Sequence, residues 1–171
     1  MIALIASSKD FRDEEYFISL QTLSAKEKVI TFSDKKGLIM GAEGGEAEAE
    51  KEIGELNTED FSAIVFVGGP GCLKRLDNEE SYRVIREAKG VIAAICISPV
   101  ILAKAGILDG VQSTVWSSEM EKSPVRMLRE HGAIYKDESV IIDGLIITAN
   151  GPQATEEFAQ AILLTKKEKG L

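Results

Sequence analysis

Three short apolar runs, none alternating with polar residues, constrain the fold more than any other feature of the chain. They are "MIALIAS" at the start, "AIVFV" from Ala63 and "VIAAIC" from Val91. A strand with one face in water alternates, whereas an unbroken apolar run of this length must be covered on both faces, as strands of a parallel sheet are. Helical patterns follow each run. Behind the first, Tyr16, Phe17, Leu20 and Leu23 recur at helical spacing after acidic residues that suit the positive end of a helix dipole. Behind the second, "DNEESYRVIREAKG" begins acidic, ends basic and stops at Gly90. Behind the third, Pro99 opens a helix to about Ala105 that Gly106 closes. Strand and helix in alternation predict an α/β fold with a mostly parallel central sheet and helices on both faces.

The other segments fit this frame. "KVITFS" and "QSTVW" read as further strands, and "SVIIDGLIITAN" as a hairpin around Asp143-Gly144. "GLIMGAEGGEAEAEKEIGEL" reads as a hairpin arm, with a short helix as its alternative. A capped turn is expected around Thr58. "SPVRMLREHG" has helix signals with Ser123 as cap and Pro124 first, and "TEEFAQAILLTKKEKG" closes the chain as an amphipathic helix.

A length of 171 residues without repeats or linkers suits one domain over residues 1–171. The net charge of -8 argues against nucleic acid and anionic membrane surfaces, which need basic patches. No run is long enough to span a membrane and no basic segment precedes "IALIAS", so a cytoplasmic protein with small-molecule or protein partners is expected. Cys72 and Cys96 lie in separate segments without CxxC spacing and read as free thiols. No cluster has metal-ligand spacing and no phosphate-binding loop appears, so neither a metal nor a cofactor is expected.

The features that could carry chemistry all follow strands, and in such sheets the C-terminal strand ends share one edge. Cys96 ends an apolar strand and turns through Ile97-Ser98-Pro99 into a helix whose unpaired amides would favour a thiolate. A lowered thiol pKa is the functional expectation; an inert buried cysteine is the other. The amides of Gly69 and Ile97 could form an oxyanion hole, although Gly68-Gly69 also suits a plain tight turn. Glu15 is either a favourable first-turn charge or, when protonated, a hydrogen-bond donor to the sulfur. Trp116 either lines the pocket or fills the core. His131, the only histidine, reads as an exposed helix-end residue.

Taken together, the "AIVFVGGPG" strand and turn, the "VIAAICISPVILAKAGILDG" elbow, the "DESVIIDGLIITANGP" hairpin and the "EEFAQAI" helix resemble the PfpI family. That family belongs to the class I glutamine amidotransferase-like superfamily, with the DJ proteins, glyoxalases and deglycases. The resemblance covers nearly the whole chain in order. It implies a flavodoxin-like three-layer sandwich, Cys96 at a nucleophile elbow, Glu15 as the carboxyl partner within "FRDEE", and Gly69 and Ile97 at the oxyanion-hole positions. It also implies a homodimer or higher homo-oligomer.

The chain departs from the protease-like members at one position, because they follow the cysteine with histidine whereas this chain has Cys96-Ile97-Ser98. Trp116 stands in the region where the DJ branch carries its later histidine. Loss of that base leaves a departing amine without a proton donor, a deficit of about two to four powers of ten in rate. Three readings follow: an enzyme acting on small carbonyl or acyl compounds, a redox sensor or stress-protective protein that oxidises Cys96, and a binding protein without chemistry.

Overall fold

The computed structural model describes residues 1–171. The unbroken apolar runs become the middle of a seven-stranded sheet. In chain order the elements begin with β1 (Ile2–Ile5), β2 (Lys9–Phe11), α1 (Asp13–Ser24), β3 (Val29–Ser33), β4 (Gly37–Gly41), β5 (Glu46–Ala49) and β6 (Lys51–Glu52). Next come β7 (Ala63–Phe66), α2 (Cys72–Leu76), α3 (Glu79–Glu87), β8 (Val91–Ile95) and α4 (Pro99–Ala105). The chain finishes with β9 (Gln112–Ser113), α5 (Ser123–Glu130), β10 (Ile134–Tyr135), β11 (Val140–Asp143), β12 (Ile146–Ala149) and α6 (Thr155–Lys169).

The central sheet has the order β11-β12-β8-β7-β1-β3-β6, and every neighbouring pair is parallel except β11 with β12. Side chains alternate across it, and the two faces bury separate cores. On one face Ile5, Ile64, Phe66 and Ile92 pack with Val84 of α3, Leu102 of α4 and Leu128 of α5. On the other, Leu4, Val65, Ala93 and Ile95 pack with Tyr16 and Leu23 of α1 and Phe158 and Ile162 of α6. This is the flavodoxin-like three-layer sandwich. No helix is long and apolar enough to cross a membrane.

The hairpin reading holds at both places. β4 pairs antiparallel with β5, and β11 turns into β12 through Gly144 at φ +63°. Asp13, at the first position of α1, fixes the tip of the β4–β5 arm: its carboxylate accepts from the Glu43 amide at 2.9 Å and from the Gly45 amide at 2.7 Å.

Three local expectations need correction. "QSTVW" is a strand only at Gln112–Ser113, because from Thr114 the backbone leaves ladder pairing and its amides go to Thr148 Oγ1 and the Cys96 carbonyl. Ser123 is the first residue of α5 rather than its cap, whereas the capped turn expected around Thr58 is present, with the Asn57 side chain accepting from the Glu59 amide. Inside the polar stretch after β1, residues Lys9–Phe11 form β2, which pairs with β4.

Candidate active site

The parallel topology brings three loops to one point at the C-terminal edge of the sheet. β8 stops at Ile95, and Cys96 then adopts a left-handed backbone with φ +65°, a conformation costly for a residue with a side chain. Both of its backbone polar groups are tied: Cys96 N–H donates to the Ala149 carbonyl at 2.9 Å, and its carbonyl accepts from Trp116 N–H at 2.8 Å. Buried Ser98 completes the clamp. Its Oγ accepts from the Ile95 amide at 2.9 Å and donates to the carbonyl of either Ile95, 2.7 Å away, or Phe66, 2.9 Å away.

The loop after β7 lies against Cys96, and only glycine permits the approach. A Cβ on Gly68 would lie 2.7 Å from the Cys96 Cβ and 3.1 Å from Glu15 Oε2. Gly69 has φ +116°, and a Cβ there would lie 2.3 Å from the Arg12 nitrogen. Arg12 N–H donates to the Gly68 carbonyl at 3.0 Å, which ties the start of α1 into the same junction. The glycine pair is thus required by close contact as well as by turn geometry. Neither the Gly69 amide nor the Ile97 amide donates to a backbone carbonyl, and the Ile97 amide is directed at the Cys96 sulfur.

Glu15 is fully buried at this junction. Its Oε2 accepts from the Gly68 amide at 2.7 Å, while Oε1 is buried without a partner in hydrogen-bond geometry. Burial lifts its pKa from the ordinary 4.5 to about 7, against the Gly68 amide, the Cys96 side chain and the Arg12 charge, which all pull it down. The carboxyl is therefore close to half-protonated at neutral pH.

Cys96 is 7% exposed. Burial first, and the Glu15 charge second, push its thiol well above the ordinary range, while the Ile97 amide and the Arg12 guanidinium pull it down. The lowered pKa expected from a helix N-terminus is not found. α4 has seven residues and begins three positions beyond the sulfur, so the opposing effects of burial and carboxylate dominate. The two groups form a coupled pair: a thiolate beside a charged Glu15 is opposed by both burial and charge, and a thiolate beside a protonated Glu15 by burial alone. Cys72, the other thiol, is fully buried at the start of α2 and also pushed far up by burial.

Above the pair lies an open cleft of about 610 Å³, lined in part by Arg12, Gly69, Lys74, Cys96, Ile97 and Trp116. Trp116 is half-buried: it lines the cleft with one part and packs against the core with the other. His131 is exposed at the end of α5, with its Nδ1 2.8 Å from the Met127 carbonyl, and does not line the cleft. Arg12 is the residue that reading the sequence missed. An arginine just before an acidic helix looks like a surface charge, and only its position in "FRDEE", directly after a buried strand-like Phe11, hints otherwise.

The chain was compared with proteins of known sequence and structure. It is 36% identical to an uncharacterized protein of Methanocaldococcus jannaschii, over 95% of this chain and 80% of that one. It is 28% identical to the deglycase PfpI of Pyrococcus furiosus, over 89% of this chain and 91% of the relative. The crystal structure of a ThiJ/PfpI domain protein from Brachyspira murdochii superposes with a TM-score of 0.90 at 30% identity, covering 98% of this chain and 96% of that one. The model of the DJ-1/PfpI family matches residues 1–165, and with the sandwich, the elbow and the glycine turn in place, this chain belongs to that family.

Proposed function

We propose that the cleft is an active site in which Cys96 adds to the carbonyl carbon of a small aldehyde or activated acyl compound, with Glu15 as its proton partner. The observation that carries this reading is the buried, unpartnered Oε1 of Glu15 beside the one cysteine that reaches the cleft. In the addition step the bond from Sγ to the carbonyl carbon forms and the thiol proton moves to Glu15 Oε1. The carbonyl π pair moves onto oxygen, where the amides of Gly69 and Ile97, neither committed to a backbone carbonyl, are the available donors. With an aldehyde, Glu15 returns the proton to that oxygen and a neutral thiohemiacetal results.

Glu15 here does the work of the base that Ile97 replaces in sequence. A carboxyl with a pKa of about 7 is matched to proton transfer at neutral pH, which an ordinary carboxyl is not. Peptide hydrolysis asks more of the site, since the departing amine needs a second proton donor and no histidine lines the cleft. The Pyrococcus furiosus relative is named a deglycase, which supports carbonyl chemistry over proteolysis.

A second reading rests on the same Oε1: protonated, it would hold an oxygen of a Cys96 sulfinate, formed from the thiol by two equivalents of hydrogen peroxide that are each reduced to water, and make the protein a redox sensor. Turnover separates the two. With a small activated ester in solution, whose alcohol leaves as the Cys96 thioester forms and whose acyl group water then releases, the parent should hydrolyse it catalytically, Cys96→Ala should not, and Glu15→Gln should lose about a hundredfold in rate. Hydrolysis by Cys96→Ala at the parental rate would rule out the proposed chemistry.

A further inference from the structure

Resting on that reading of Cys96, we infer that the cleft selects carbonyl substrates bearing a carboxylate, small oxo-acids rather than neutral aldehydes, and that Arg12 and Lys74 are the residues that recognise it. The two cations line the same cleft as Cys96 from different elements, Arg12 at the N-cap of α1 and Lys74 on α2. Arg12 is held there at a cost. Its Nε is buried without an acceptor, a defect that folded proteins keep rare and that concentrates at functional sites. Its only side-chain hydrogen bond runs from Nη1 to Glu43 Oε1 at 3.3 Å, long and half-exposed, and Nη2 has no partner in the chain.

The guanidinium is close enough to the reacting pair to pull both Cys96 and Glu15 down in pKa, so its charge is felt at the sulfur. Lys74 has no ion pair within the chain. Glu14, exposed on the same rim, is the opposing charge, and the chain as a whole carries -8. In so acidic a protein a neutral substrate would need no cation at the cleft, whereas an anionic one must be drawn in against the overall field. The cleft is far larger than a two-carbon aldehyde, which leaves room for a carboxylate beside the reacting carbonyl.

Two alkylating reagents of nearly the same size test this at Cys96 itself. Iodoacetate carries the carboxylate and iodoacetamide does not, and the Cys96 and Cys72 peptides are read separately by mass spectrometry. The ratio of the iodoacetate to the iodoacetamide rate at Cys96 should exceed that of a small free thiol by about tenfold at low salt, and 0.5 M salt, roughly the regime of a few ångströms of screening length, should erase much of the excess. Arg12→Gln should lower the ratio about fivefold and Lys74→Gln about twofold, with circular dichroism confirming the fold. Because Arg12 also tunes the thiol, the ratio is the diagnostic quantity and not either rate alone. A parental ratio equal to that of the free thiol, or one unmoved in both variants, overturns the substrate class and leaves the nucleophile intact. A Cys96 silent to both reagents overturns the nucleophile reading and the substrate class with it.

Discussion

Glu15 is a carboxyl sealed where three loops meet, and its charge is opposed by the fold. Its pKa is 4.5 when exposed and about 7 in the folded protein, so the folded state resists ionisation. Below about pH 4.5 the group is neutral in both states and contributes no penalty; as pH rises towards 7 the unfolded chain gains the ionised form first, and stability falls by about 3 kcal/mol in all. Glu15→Gln keeps an oxygen for the Gly68 amide and removes the ionisation. We expect its melting temperature to exceed the parent's at pH 8 and to match it more closely at pH 5, with thermal unfolding across that range as the check. The residues of this junction were largely legible in the sequence. Cys96 is marked by the apolar run it ends, Gly68-Gly69 by the turn, and Glu15 by the family pattern in "FRDEE". What could not be read is the direction in which Cys96 titrates, because that depends on how deeply neighbouring loops bury the sulfur, and Arg12, whose role depends on an approach between loops far apart in the chain.

At the scale of elements, the site is held by pieces that never touch a substrate. The β4–β5 arm is anchored to α1 through Asp13, and α1 in turn carries Arg12 and Glu15. Asp13→Ala should leave the Glu43 and Gly45 amides unpaired, at a cost of about 1–3 kcal/mol, and hydrogen exchange at those two amides should quicken while the central strands keep their protection. The strands of the main sheet, apart from the two-residue edge strand β6, and both hairpins were readable because each carries its own periodicity or turn residues. The segment after β9 was not. Its β-branched "STVW" looks like strand by propensity, yet its backbone partners are a side chain and the elbow, which propensity does not encode.

On the scale of the whole molecule, parallel strands with helices on both faces place every strand's C-terminal loop on one edge, and there the "FRDEE", "GGPG" and "CISP" segments converge. The two cores keep that edge in register. Phe158 of α6, fully buried against the face that also holds Cys96, is a direct probe of this support: Phe158→Ala should lower unfolding stability by about 3–5 kcal/mol in denaturant titrations. The account's central claim is that Cys96 and Glu15 ionise as one reactive pair, and the pH dependence of Cys96 alkylation by iodoacetamide tests it most directly. The parent should show a midpoint near 7, the first ionisation of the pair, well below the value of about 8.5 for a free thiol. Glu15→Gln should react at a rate close to the parent's at pH 7 and keep gaining rate at higher pH where the parent levels off, with its midpoint moved above that of a free thiol by burial alone. Equal midpoints in the two proteins, or a Cys96 that does not react in the parent, would contradict the claim.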